Sequence, residues 1–143
     1  MKHEPFVIER TYEAPLEKVW KAITDVNDMK QWYFDIPAFK AEVGTEFRWE
    51  GGPPEKIYVH LGKVTEVIPN KKLSYSWRYE GYPGDSLVTF ELFPEGKKTR
   101  LKLTHAGLET FAASNNPDLD KKNFEAGWND LIGNLLKEFV EKK

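Results

Sequence analysis

Apolar and polar residues alternate along the middle of the chain, and the alternation stops at each cluster of glycine, proline or asparagine. A period of two is typical of β-strands that bury one face and expose the other. The predicted strands cover about residues 6–13, 46–50, 56–68, 73–79, 87–93 and 99–105. Short turn signals separate the later strands, which favours antiparallel hairpins in one sheet.

Helical spacing replaces this alternation near both ends of the chain. Ala14-Pro15 ends the first strand, and proline at this place favours the first turn of a helix. Asp25 interrupts the following apolar pattern before a second apolar cluster that contains Trp32. We therefore expect two short N-terminal helices joined by a kink.

The C-terminal region predicts one long amphipathic helix. Its large apolar residues recur at three- and four-residue steps: Phe124, Trp128, Leu131, Leu135 and Phe139. Ile132, Leu136 and Val140 widen this apolar stripe. Because each large buried side chain contributes about 1.5–3 kcal/mol, the helix is expected to be a principal source of core stability.

The order of these elements predicts the architecture. A helix that follows all the strands must bury its stripe against the one available sheet, and a sheet that curls around a helix can enclose a cavity. The predicted fold class is therefore α+β, a curved antiparallel sheet wrapped around the C-terminal helix. At 143 residues, the chain fits a single domain spanning residues 1–143.

Composition narrows the classes of function. The 21 basic and 23 acidic side chains are nearly balanced, which argues against a nucleic-acid partner. The chain has no cysteine, so disulfides, thiolate metal sites and thiol nucleophiles are excluded. No apolar run approaches the roughly 20 residues of a membrane helix, and none opens the chain as a signal segment. We expect a cytoplasmic, soluble protein.

The sequence also resembles a known family. The residues that carry the resemblance are Arg10, Ala14-Pro15, Val19-Trp20, Ala22 to Asp25, Trp32, Pro69 to Leu73, Tyr75, Trp77, Val88-Thr89, Glu91-Leu92, Thr99 to His105 and Gly127-Trp128. In this order they are similar to the START-like superfamily, also called SRPBCC or helix-grip proteins. Within that superfamily they resemble the activators of the heat shock protein 90 ATPase, over nearly the whole chain.

The resemblance implies a cavity between the sheet and the last helix, closed at one end by the short N-terminal helices. Ligands in the superfamily, where known, are lipids, sterols or polyketides. Chaperone activation is implied less directly, because the eukaryotic activators carry a separate N-terminal domain that this sequence does not contain.

The sequence offers few polar residues as candidate metal ligands or catalytic groups. His3, His60 and His105 fall on three distant segments, so we expect no metal site. His105 shares a predicted strand face with Leu103, where it would contact a ligand, act as a weak acid or base, or simply be hydrogen-bonded in place. Arg10 shares a face with apolar residues, and an inward guanidinium would need a carboxylate or a polar ligand.

Aromatic residues give the stronger indication. The predicted cavity lining is Trp32, Phe47, Trp49, Tyr75, Trp77, Tyr79, Val88, Phe90, Leu103, His105, Phe124, Trp128 and Leu131. Such rings would either stack on an apolar ligand or fill the core by themselves. Tyr75 and Tyr79 are the better ligand-facing candidates, because a buried tyrosine hydroxyl needs a partner.

Three functions follow from these patterns. The first is binding of a small hydrophobic or amphipathic molecule of lipid, sterol, polyketide or aromatic type. The second is a cochaperone-like activator of the heat shock protein 90 ATPase. The third is a cyclase- or hydrolase-type enzyme that uses His105, Tyr75 or Arg10 in the same cavity, although no nucleophile and base can be paired from spacing. We expect no cofactor, and a monomer or a homodimer.

Overall fold

The computed structural model describes residues 5–34, 36, 39–51, 58–82, 84–111 and 121–142. Its elements in chain order are β1 (Phe6–Tyr12), α1 (Leu16–Thr24), α2 (Val26–Trp32), β2 (Glu46–Gly51), β3 (Tyr58–Ile68), β4 (Lys72–Tyr79), β5 (Ser86–Glu95), β6 (Lys98–Ala106), a 3-10 turn (Leu108–Phe111), α3 (Lys121–Asp130), a π-helical segment (Leu131–Leu135) and α4 (Leu136–Glu141). The first residues of the third predicted strand, Lys56 and Ile57, lie outside the described residues.

The six strands form one curved antiparallel sheet in the order β1-β6-β5-β4-β3-β2. β1 and β2 are neighbours in the chain but lie at opposite edges, because α1 and α2 separate them in sequence. The remaining strands follow one another as hairpins. The predicted α+β helix-grip fold is confirmed.

Alternate residues of each strand form the inner face of the sheet, where the core lies. Tyr75, for example, is opposite Val64 on one side and Val88 on the other, and all three are buried. Gly62 lies opposite Phe47 on this face, and a Cβ atom there would come within 2.5 Å of the Phe47 ring. The absence of a side chain therefore lets the ring lie directly on the β3 backbone.

The predicted kink between the N-terminal helices is confirmed at Asp25. Its carboxylate accepts hydrogen bonds from the backbone N–H groups of Asn27 (2.8 Å) and Asp28 (3.1 Å), which caps α2. The Trp32 indole N–H donates to the Ala22 carbonyl at 2.8 Å, so it ties the end of α2 back to α1.

Only one row of the predicted apolar stripe is fully buried in the C-terminal helix. The fully buried stripe is Trp128, Ile132, Leu136 and Val140, whereas Leu131 is partly buried and Leu135 is 38% exposed. The π-helical turn adds one residue to the helical repeat, so the buried face moves from 131, 135 and 139 to 132, 136 and 140. The Tyr12 hydroxyl, from β1, donates to the Ile132 carbonyl within this segment at 2.6 Å.

Candidate functional site

A layer of aromatic side chains lies between the sheet and α3. We call the following set the ring layer: Tyr33, Phe34, Phe47, Trp49, His60, Tyr75, Trp77, Tyr79, Phe90, His105, Phe124 and Trp128. Trp77 lies at its centre, with ring centroids 5.3 Å from Trp49 and 5.7 Å from Trp128. These spacings and crossed planes are those of favourable aromatic pairs.

The residues predicted for the cavity lining come together at the core between sheet and helices. Eleven are buried: Trp32, Phe47, Trp49, Tyr75, Trp77, Tyr79, Val88, Phe90, Leu103, His105 and Trp128. Phe124 and Leu131 are partly buried and pack against them. Leu131 is partly buried, whereas the next residue, Ile132, is fully buried within the π-helical segment.

His105 is fully buried, and both of its ring nitrogens are hydrogen-bonded. The Trp128 indole N–H donates to Nδ1 at 2.9 Å, so the proton of the neutral ring lies on Nε2. Nε2–H donates to Ser86 Oγ at 2.8 Å, and the Ser86 hydroxyl donates to the Trp77 carbonyl at 2.6 Å. Burial lowers the pKa of His105 to about 3, which keeps the ring neutral.

This serine–histidine contact is not a catalytic pair. A nucleophilic serine donates its proton to an unprotonated histidine nitrogen, and a carboxylate accepts from the other nitrogen. Here the Ser86 hydroxyl donates to a backbone carbonyl, and His105 Nδ1 accepts from an indole. The side chains of Ser86 and Trp128 therefore complete the hydrogen bonding of His105.

The opposite side of Trp77 is built differently. His60 is 7% exposed and stacks on Trp49, with centroids 4.7 Å apart and planes at 20°. Its Nδ1–H donates to the Tyr58 carbonyl at 3.2 Å, and burial lowers the pKa of His60 to about 4. Trp49 is 4% exposed, and its indole nitrogen has no hydrogen-bond partner within the described part of the chain.

The tyrosine hydroxyls of the layer are bonded to one another or to an indole. Tyr33 and Tyr75 share a hydrogen bond of 2.5 Å between their oxygens, and the Trp77 indole donates to the Tyr79 oxygen at 2.9 Å. Burial raises the pKa of all three hydroxyls well above their usual value. They therefore act as neutral donors and acceptors.

Three rings of the layer retain accessible surface. Tyr33, Phe34 and Phe124 are only partly buried, yet each contacts rings that are buried. Tyr33 combines this accessible surface with a hydroxyl whose pKa is raised by burial. The accessible surface of the layer therefore lies at these three residues.

Arg10 lies on the inner-face register of β1 but is exposed at the sheet edge. Its guanidinium donates to the Glu9 carbonyl at 2.7 Å and to the Asn129 amide oxygen at 3.4 Å. No carboxylate pairs with it among the described residues. Because the guanidinium is exposed, it does not need the carboxylate or polar ligand that an inward position would require.

Sequence reasoning did not assign Ser86, His60, Tyr33 or Phe34 to the site. Two of them could have been predicted from the alternation of side chains along a strand. Ser86 lies on the same face of β5 as Val88, and His60 lies on the same face of β3 as Tyr58 and Val64. Tyr33 and Phe34 follow α2 in irregular structure, where no periodic signal applies.

A groove of about 420 Å³ lies mainly on the outer face of the sheet and reaches Phe47 of the ring layer. Its lining residues are Glu46, Phe47, Arg48, Leu61, Gly62, Lys63, Ser76, Arg78, Gly84 and Asp85. Across the described ranges, no group of three or more histidine, aspartate or glutamate side chains is placed to hold a metal ion. No helix within those ranges is both long and apolar enough to cross a membrane.

Solved structures of similar fold cover almost all of the chain. The protein CV1439 from Chromobacterium violaceum has a TM-score of 0.82 and 22% identity, over 98% of this chain and 99% of that one. CalU16 from Micromonospora echinospora has a TM-score of 0.74 and 29% identity, over 95% of this chain and 75% of that one. MLL2253 from Mesorhizobium loti has a TM-score of 0.77 and 28% identity, over 96% of each chain.

A comparison with curated proteins finds no match. The family model described as Activator of Hsp90 ATPase homolog 1-like protein matches residues 13–141. This match confirms the resemblance inferred from the sequence motifs, and it spans nearly all of the 143 residues. The chain therefore belongs to the family of Activator of Hsp90 ATPase homolog 1-like proteins.

Proposed function

We propose that this protein binds a small, ring-bearing hydrophobic or amphipathic molecule between the inner face of the sheet and α3. The observation that carries the proposal is the accessible surface of Tyr33, Phe34 and Phe124 within an otherwise buried layer of rings. A close-packed core leaves few voids larger than a water molecule, so a ligand can contact the layer only where its rings keep accessible surface. Aromatic lining with a few polar groups is the usual composition of a small-molecule site.

The chemistry of the layer favours binding over catalysis. Its histidines are neutral, and the hydrogen bonds of His105 use both ring nitrogens. A general acid or base needs a nitrogen that can exchange a proton with the substrate. The layer thus supplies shape, stacking and fixed dipoles.

A neutral fluorescent ring compound, 1-aminoanthracene, tests the proposal. We expect saturable binding to the wild-type protein, with quenching of tryptophan fluorescence. Phe124→Ala should weaken binding about tenfold, because Phe124 contacts Trp77 and His105 within the layer.

Phe139→Ala is the matched control. Phe139 is also a partly buried phenylalanine of the C-terminal helical region, but it lies in α4 outside the ring layer. This variant should bind 1-aminoanthracene as the wild type does. Failure of the wild type to bind this compound or any lipid, sterol or polyketide probe contradicts the proposal.

Chaperone activation is a second candidate, supported by the family match and by the outer groove. Arg48 and Arg78 line this groove and are exposed, so a partner protein could reach them. We expect the protein to raise the ATPase rate of a heat shock protein 90 chaperone, and the double variant Arg48→Glu/Arg78→Glu to lose this effect. An unchanged ATPase rate with the wild-type protein removes this candidate.

A further inference from the structure

The Trp49 side chain carries a hydrogen-bond donor that nothing in the described structure satisfies. Trp49 is 4% exposed, and Nε1 is buried with no acceptor among the described residues. Buried polar groups in folded proteins are nearly always hydrogen-bonded. The other buried indoles follow this rule: Trp32, Trp77 and Trp128 each donate to an acceptor within 2.9 Å.

The rings around Trp49 do not accept from its indole N–H, because this bond points within the indole plane whereas His60 is stacked on that plane. His60 stacks on Trp49 and donates its Nδ1–H to a backbone carbonyl. Trp77 lies perpendicular to Trp49 at 5.3 Å and donates its indole N–H to Tyr79. Tyr79 acts as the acceptor in that bond, so its own proton remains available for a ligand.

Among the residues that the structure describes, no charged side chain is buried in this region. The buried polar side chains of the described structure are His60, Ser74, Ser86, Thr99 and His105. None is a carboxylate, an ammonium or a guanidinium, and burial keeps His60 neutral at physiological pH. A buried anionic ligand would therefore lack a countercharge, which makes its desolvation costly.

We propose that the ligand of the ring layer carries an uncharged acceptor, such as a ketone, quinone or amide carbonyl, and that Trp49 Nε1–H binds it. This inference rests on the proposed function and adds the ligand's chemical class and orientation. Trp49 belongs to β2 and stacks on His60 of β3, so the bound acceptor oxygen would lie at this edge of the layer.

Three naphthalenes that differ only in one substituent test the inference. These are 2-acetylnaphthalene, which carries a ketone, 2-ethylnaphthalene, which has no acceptor, and 2-naphthoate, which is an anion. For wild-type protein, we expect 2-naphthoate to bind most weakly. Trp49→Phe retains a ring but removes the N–H, so the affinity for the ketone relative to 2-ethylnaphthalene should fall about tenfold.

Trp77→Phe is the matched control, because it also removes an indole N–H from the layer. That N–H is already bonded to Tyr79, so the variant should change the affinities for the ketone and for 2-ethylnaphthalene by the same factor. A measurement on the wild type does not depend on folding of a variant. The indole ¹H–¹⁵N signal of Trp49 should move downfield with 2-acetylnaphthalene and not with 2-ethylnaphthalene.

The outcomes separate this inference from the proposed function. If the naphthalenes bind and Trp49→Phe weakens ketone and hydrocarbon equally, the acceptor inference is wrong and the binding function stands. Tightest binding of 2-naphthoate, or an indole signal that does not respond to the ketone, also overturns the inference. If 1-aminoanthracene and all three naphthalenes fail to bind, both proposals are wrong.

Discussion

The two buried histidines of the ring layer lie on either side of Trp77, at centroid distances of 5.4 Å for His60 and 5.3 Å for His105. On the His105 side, Ser86 and Trp128 bond both ring nitrogens, and the chain of hydrogen bonds ends at a backbone carbonyl. On the His60 side, the histidine bonds the backbone, and the adjacent Trp49 indole has no described acceptor.

This difference assigns different roles to the two halves of one aromatic layer. A completed network between β5, β6 and α3 fixes the helix on the sheet. Between β2 and β3, the indole N–H of Trp49 has no described acceptor and is available to a molecule that enters the layer. Both halves present aromatic surface, so the hydrogen bonds, and not the ring count, distinguish packing from binding.

The largest expected effect on the free energy of unfolding comes from the neutral histidine that each half of the layer contains. Below pH 6.5 the unfolded chain binds a proton at each histidine, while native His60 and His105 remain neutral to about pH 4 and about pH 3. The free energy of unfolding should therefore fall as the pH decreases. Between pH 7.5 and 5, the loss should be about 2 kcal/mol for each histidine, or about 4 kcal/mol together.

Urea denaturation at a series of pH values measures this slope. His60→Gln and His105→Gln each remove one titrating ring, so each variant should show about half of the pH dependence. Stability that is constant from pH 7.5 to 5 would mean that the rings ionise without opening the core.

The next effect compares the two tryptophans of the two halves. Trp128→Phe removes ring volume and the hydrogen bond to His105, leaving Nδ1 buried without a donor, so we expect a loss of about 3 kcal/mol. Trp49→Phe removes ring volume but no described hydrogen bond, and should cost about 1–2 kcal/mol less. Denaturant midpoints of the ligand-free variants measure both. Equal losses would mean that the Trp49 indole is bonded in solution.

The inner face of the sheet could be predicted from the sequence because side chains alternate in every strand, whatever the strand packs against. The register of the C-terminal helix could not. The π turn depends on a tertiary environment that includes the bond from Tyr12 to Ile132, and these residues are 120 positions apart. A regular helical repeat therefore placed both rows on the apolar stripe, and it did not show that Ile132 and Leu136 are buried while Leu135 is exposed.

The same limit applied to the site. Aromatic identity and strand parity were enough to predict that Trp49, Trp77 and Trp128 face the core. Whether each indole is bonded depends on the pairing of distant strands and on the position of α3. Ser86, for example, is 19 residues from His105 and carried no signal of its own.

A smaller effect separates the contribution of the hydrogen bonds around His105 from the contribution of ring packing. Ser86→Ala removes the acceptor for His105 Nε2–H and the donor to the Trp77 carbonyl, with little loss of volume. We expect a loss of about 1–2 kcal/mol in the free energy of unfolding. The affinity for 1-aminoanthracene should remain unchanged, because no ring of the layer is removed.

Ser76→Ala provides the control on the neighbouring strand. Ser76 is partly buried, and its hydroxyl accepts one hydrogen bond from the Lys63 N–H, so its loss should be the smaller of the two. If Ser86→Ala were no more destabilising than Ser76→Ala, the network around His105 would not be what holds that half together.

The smallest effect concerns Arg10, at the edge of the sheet beyond the completed half. Because the guanidinium is exposed and bonds only a carbonyl and an amide oxygen among the described residues, Arg10→Ala should change stability by less than about 0.5 kcal/mol. Arg100→Ala on β6 should be more destabilising, since Arg100 contacts Glu9 at 2.6 Å and Glu95 at 2.9 Å. Arg10→Ala should also leave the affinity for 1-aminoanthracene unchanged in a fluorescence titration. A loss of affinity would place the guanidinium against the ligand and extend the binding half of the layer past His105 to β1.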